Sequence, residues 1–120
     1  MAINCVALSG RLTRDPEARV TRSGTPVLAF SLAVNDRRRD PQTGEWEDVP
    51  NFVDCVMFGA RADRLSQMLR KGQKVAVSGR LHWESWERDG ERRSKLYVYA
   101  DEVELPPRDG APAAREGVVA

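Results

Sequence analysis

A period of two governs most of this chain, and a helical period replaces it in one place only. Successive side chains on a strand point to opposite faces, so each alternating run announces a strand and what its two faces meet. The run "VLAFSLAVN" (27–35) is the most restrictive. Leu28, Phe30, Leu32 and Val34 make a bulky apolar face, and Val27, Ala29, Ser31 and Ala33 make a small one. A strand apolar on both faces is central to a sheet or lines a barrel. Four more runs share the period. "INCVALSGRL" (3–12) places Gly10 for a bulge or bend. "NFVDCVMFG" (51–59) and "SKLYVYADEVEL" (94–105) are strands. "QKVAVSGRLHWESWERDG" (73–90) carries Val75, Val77, Gly79 and Leu81 on one face and turns at Asp89-Gly90.

The intervening segments are of two kinds. Residues 13–26 carry turn signals at Asp15-Pro16 and Ser23-Gly24, and residues 36–50, "DRRRDPQTGEWEDVP", read as a long charged hairpin loop turning at Thr43-Gly44. Residues 60–72, "ARADRLSQMLRKG", place Ala62, Leu65, Met68 and Leu69 at helical spacing, with Arg70 and Lys71 suited to the C-terminal dipole and Gly72 to the cap. Five strands with one helix between the third and fourth predict an all-β fold: a five-stranded OB-fold Greek-key barrel with long hairpin loops over 1–105. A β-sandwich accommodates the helix and hairpins less well. Residues 106–120 are rich in Pro, Ala and Gly without periodicity, which predicts a disordered tail. A chain of 120 residues makes one domain that buries roughly 65% of its unfolded surface.

Several function classes are disfavoured by composition. No apolar run approaches the ~18 residues of a membrane-spanning helix. Cys5 and Cys55 stand far apart, outside any C-x-x-C spacing and with a single His, so no metal site is expected and both read as free thiols of a reducing cytoplasm. Carboxylates are scattered through loops, His82 is the only imidazole, and no phosphate-binding Gly motif of Walker type occurs, so neither an enzyme nor a cofactor is expected. Nineteen Lys and Arg against 18 Asp and Glu leave a net charge of +1. A global basic footprint for a polyanion is absent, and local clusters must supply it: Arg37, Arg38 and Arg39; Arg70 and Lys71; Arg92 and Arg93.

The strand at 51–59 contains an anomaly. Val53, Cys55 and Met57 make a plausible core face, yet the other face holds Phe52, Asp54, Val56 and Phe58. A core rejects the Asp, and water does not favour the rings. Phe52 and Phe58 lie about 20 Å apart along the strand, roughly six stacked bases at about 3.4 Å each. In "LHWESWERDG" Trp83 and Trp86 fall on opposite faces, so one is outside unless a bulge intervenes. Trp46 is flanked by Glu on both sides. Phe52, Phe58, Trp86 and Trp46 are therefore candidate exposed rings on which bases stack; taken singly, each could equally fill a core or an interface. Base–aromatic stacking contributes about 1–3 kcal/mol per base and tolerates any sequence. Arg37, Arg38 and Arg39 could close over the strand of DNA and hold phosphates.

From Ile3 to Leu105 the chain resembles the bacterial single-stranded DNA-binding protein family. "LSGRLTRDPEARVTRSGTPVLAFSLAV" is similar to the family's opening, and "FVDCVMFGARADRLSQMLRKGQKVAVSGRL" to its strand–helix–strand centre. The resemblance implies an OB-fold that assembles as a homotetramer of paired dimers and coats single-stranded DNA without sequence specificity, in replication, recombination or repair, in the bacterial cytoplasm at the nucleoid. It places family stacking positions on Phe52, Phe58 and Trp86. A further family aromatic falls on Arg38, which can lie flat on a base by cation–π contact. His82, Glu84 and Asp54 stand where basic residues are frequent, with Arg80, Arg88 and Arg92 as partial compensation. The family's Gly/Pro/Gln-rich linker and acidic tip have no counterpart in "REGVVA". That reads as a truncated chain or as a tailless paralogue, the latter favoured, with few tail-mediated protein partners. A primosomal-type adaptor acting mainly through protein contacts is the alternative. If the first strand pairs with its copy across a two-fold, two Cys5 thiols approach and oxidation could lock a dimer; otherwise Cys5 is a buried, inert thiol.

Overall fold

The computed structural model describes residues 2–105; the tail expected at 106–120 lies outside them. Six strands and one helix follow in the order β1 (Val6–Leu12), β2 (Glu17–Val20), β3 (Pro26–Arg39), β4 (Trp46–Phe58), α1 (Ala60–Ser66), β5 (Lys74–Arg88) and β6 (Glu91–Glu104). Five of the strands close a ring. β1 pairs with β5 along Val6–Arg11 and with β3 at Arg11 and Leu12. β5 pairs with β6, β6 runs parallel to β4 at Val98 and Tyr99, and β4 returns to β3. This is the five-stranded OB-type barrel with one helix between its third and fourth strands. β2 is a sixth, short strand on the outer edge of β3. It occupies part of the segment expected to be irregular, because β3 offers an unpaired edge that four otherwise uninformative residues can use.

The core is the inner alternation of these strands. Leu28, Phe30 and Leu32 of β3, Cys55 and Met57 of β4, Val75 and Val77 of β5, and Val98 and Ala100 of β6 are buried with Leu12 and with Ala62, Leu65 and Leu69 beneath them. Burial pushes the Cys55 thiol up to about 12, and the neighbouring Asp54 charge adds to the shift. Gly10 serves close approach: a Cβ there would lie 2.6 Å from the Ala33 carbonyl oxygen, where β1 leaves β5 for β3. A register shift at Ser78/Gly79 leaves Asp101 without a direct partner across the ladder. A Cβ at Gly79 would collide there with the Tyr99 backbone.

Two expectations are corrected. The helix spans Ala60–Ser66 rather than 60–72. The Met68 amide turns to the Leu65 carbonyl at 2.9 Å, three residues back, and this tightening keeps Leu69 in the core while Met68 is exposed. Gly72 does have positive φ, at 85°, but its amide donates to Leu12 at 2.8 Å rather than capping the helix. Residues 36–50 are not a loop. The β3–β4 ladder continues to Arg39↔Trp46, and only 40–45 form the turn. There the Asp40 amide donates to the Glu45 carbonyl and the Gly44 amide to the Asp40 carbonyl. The β5–β6 hairpin likewise closes through Asp89-Gly90 alone, with φ of 53° and 78°, the pair of left-handed residues a two-residue turn requires.

Candidate nucleic-acid interface

Residues directly opposite across a ladder share a face, so the registers fix what lies together outside the barrel. On β4 the outward set runs through Trp46, Phe52, Asp54, Val56 and Phe58. Their β3 partners Ala33, Ser31, Ala29 and Val27 are small and leave the rings standing above a shallow floor. On the other side, β6 contributes Lys95, Tyr97 and Tyr99, and β5 contributes Arg80, His82, Glu84 and Trp86. Phe52 is 71% exposed, Phe58 46%, Trp46 59% and Trp86 40%. The rings expected to stand outside the core all do so.

Two rings escaped the sequence reading. Tyr97 and Tyr99 look like core on a short apolar run, yet Val98 and Ala100 take that role and turn the tyrosines outward. His82 stacks on Tyr99 with centroids 4.2 Å apart and planes 13° from parallel. Tyr97 meets both at 5.6 Å, and Phe58 meets Tyr99 edge-on at 5.3 Å. A continuous aromatic wall thus crosses from β4 over β6 to β5, and Tyr97 and Trp86 border one cavity of about 350 Å³. The Tyr97 hydroxyl bonds the Glu84 carboxylate. Its ionisation is pushed upward, by burial first and by that hydrogen bond second.

The six arginines expected to hold phosphate do not all reach this surface. Arg37 and Arg39 share the face of Trp46, and Arg37 lies 5.7 Å from the Trp46 ring centroid. Arg38 is paired with Glu47 on the opposite face. Arg80 stands opposite Tyr99, and Arg88 closes the Trp86 face at the turn. Arg92 is paired with Glu87 on the far face, while Arg93 stands beside Trp86. The departures of Arg38 and Arg92 have one cause: regular pairing extends through segments read as loops, so adjacent arginines must point opposite ways.

Cations on the ring face are accompanied by carboxylates. Lys95 lies 3.1 Å from Asp54, Arg80 3.7 Å from Asp101, Arg37 4.0 Å from Asp48 and Arg19 2.7 Å from Glu17. These exposed pairs are each worth little, and a phosphate can displace the carboxylate at small cost. The Arg19 hydrogen bond also holds the Glu17 carboxyl below its ordinary value. Cys5 precedes β1 and is exposed, which overturns the buried, inert alternative. Among the described residues no group of three or more His, Cys, Asp or Glu could hold a metal ion, and no helix is long and apolar enough to cross a membrane.

An OB-type barrel with a partly exposed aromatic wall and cations interleaved along it defines a class of nucleic-acid-binding module. Comparison with known proteins narrows the class. The model of the single-strand binding protein family matches residues 3–106. The chain is 47% identical over 105 residues to the single-stranded DNA-binding protein of Borreliella burgdorferi, covering 86% of this chain and 69% of that one. It is 42% identical to the corresponding protein of Treponema pallidum, with 86% and 57% covered. Among solved structures, a deletion mutant of the Thermus aquaticus single-stranded DNA-binding protein superimposes with a TM-score of 0.79 at 34% identity, over 90% of this chain and 52% of that one. The Plasmodium falciparum protein in complex with single-stranded DNA gives 0.78 at 25% identity, over 89% and 97%. This chain belongs to the single-strand binding protein family, a family of binders and not of catalysts.

Proposed function

We propose that this protein coats single-stranded DNA without sequence specificity, with bases stacked on the β4–β6–β5 wall and phosphates held by the cations beside it. The observation that carries this reading is the run of touching rings from Phe58 through Tyr99 and His82 to Tyr97, half-buried in its middle and flanked by the exposed rings of Phe52 and Trp86. Uncovered aromatic surface of this extent is a liability unless a ligand completes its burial, and the π-face common to all four bases is such a ligand. Phe52, Phe58, Trp86 and Trp46 are the stacking residues of this proposal. Arg37, Arg39, Arg80 and Arg88 supply phosphate contacts, with Arg38 and Arg92 reached only if the strand passes round the hairpin edges. Replication, recombination or repair is the setting this activity serves.

The assembly that goes with this reading is a homotetramer of paired dimers. Leu81, Trp83 and Leu96, all exposed on the opposite face of the β5–β6 hairpin, supply apolar surface for it. Sedimentation at micromolar concentration tests that arrangement. Binding is tested by titrating the protein with oligothymidylate while following tryptophan emission. Quenching, with an affinity that falls about 1–3 kcal/mol per ring in Phe52→Ala and Trp86→Ala, is expected. Firm association with a protein partner but no quenching would favour the adaptor reading instead.

A further inference from the structure

The cavity beside Trp86 is chemically unlike the rest of the wall. Trp86 and Tyr97 give it two ring borders, and Ala29 and Val56 give it a small apolar floor. Its remaining borders hold three carboxylates, Glu17, Asp54 and Glu84, together with Arg14, Arg19 and Lys95. Glu84 and Asp54 each use one oxygen internally: Oε1 accepts the Tyr97 hydroxyl, and Oδ2 faces Lys95 at 3.1 Å. A carboxylate has two oxygens and about four lone-pair sites. Glu84 Oε2 and Asp54 Oδ1 take part in no hydrogen bond or ion pair among the described residues.

Three cations balance the three carboxylates, and the carboxylate oxygens left free accept a donor. We propose, resting on the single-strand reading above, that this cavity is a nucleobase subsite in which a base stacks on Trp86 and presents an amino edge to Glu84 and Asp54. The subsite favours amino-bearing bases, cytosine among them, over thymine. The N4 amino group of cytosine donates to a carboxylate, a pairing that base recognition uses elsewhere. Thymine turns the O4 acceptor to the same position, and two acceptors facing one another leave both without a donor. Arg14 and Arg19, on the β2 side of the cavity, are placed to hold the flanking phosphate while the carboxylates admit only the base. A composition bias is thereby laid over stacking that itself tolerates any sequence.

The test measures the affinities of oligodeoxycytidylate and oligothymidylate of equal length for the unaltered protein, for Glu84→Gln with Asp54→Asn, and for Glu87→Gln on the opposite face of the hairpin. An amide can donate to thymine O4, which a carboxylate cannot. The cytidylate-to-thymidylate affinity ratio is expected to exceed one in the unaltered protein. It should fall about tenfold in the double variant, the size of one lost base contact, and stay unchanged in Glu87→Gln. A ratio that is the same in the double variant as in the unaltered protein overturns the subsite, as does equal affinity of the unaltered protein for both oligomers. Either result leaves general binding standing. Failure of both oligomers to bind the unaltered protein would instead overturn the single-strand reading itself.

Discussion

The long strands of this protein behave differently at their two ends. Near the barrel, the inner face of β5 and β6 carries Val75, Val77, Val98 and Ala100, all buried. A few residues further on, the same face carries Leu81, Trp83 and Leu96, with Trp83 61% and Leu96 58% exposed. Alternation is unbroken between the two regions, and only the covering differs. Within the ring, opposing strands and α1 close over the inner face. Beyond it the hairpin projects with no other described residue above it. Period two therefore specifies which side chains share a face, while burial of that face is decided by elements far away in sequence.

The sharpest contrast should come from truncating one residue in each region. Phe30→Ala, in the closed barrel, is expected to lower unfolding free energy by about 3–5 kcal/mol, whereas Trp83→Ser at low protein concentration should change it by roughly 0.5 kcal/mol or less. Urea titrations of both variants measure this, and comparable losses would mean that the projecting hairpin is part of the folding core. A smaller effect separates the two faces of the β3–β4 ribbon. Arg37→Ala, on the ring side, should reduce the slope of log affinity against log salt by about 0.7, the value for one phosphate of a single strand. Arg38→Ala, on the Glu47 side, should leave the slope unchanged. Reversal of that order would show the strand running along the other face.

The smallest expected effect concerns the two thiols and leaves stability and binding alone. Cys5 is exposed, whereas Cys55 is buried with its pKa raised to about 12. At neutral pH the Cys55 thiol is protonated in the folded state as well as inaccessible, and the thiolate is the reactive form. An aromatic disulfide reagent should modify Cys5 alone in the native protein and Cys55 only after denaturant is added. Mass spectrometry of the labelled peptides distinguishes the sites, and prompt native labelling of Cys55 would mean that the barrel opens beneath Asp54.

Much of this architecture was legible in the sequence, and the failures have physical causes. The β4 face could be read because Asp54 between two phenylalanines makes burial on that side costly. The bulky face of β3 could be read because Leu28, Phe30 and Leu32 alternate with much smaller residues. β2 could not, since Glu17–Val20 has no apolar alternation and exists only through its pairing with β3. Tyr97 and Tyr99 were missed because their face is settled by the parallel contact of β6 with β4, a pairing between segments separated by α1 and all of β5. The arginine arms were misjudged for a simpler reason. Charged residues suggested a loop, but an edge-exposed ribbon tolerates charge on both faces.

Bases are expected on the β4–β6–β5 wall and not on the more exposed Trp83 side of the hairpin. Photocrosslinking of a single-stranded oligonucleotide carrying 5-iododeoxyuridine, followed by mapping of the modified peptides, decides between the two faces. Attachment at Phe52, Phe58, Tyr97, Tyr99 or Trp86 is the predicted result. Attachment confined to Trp83 and its neighbours on the far face would contradict it.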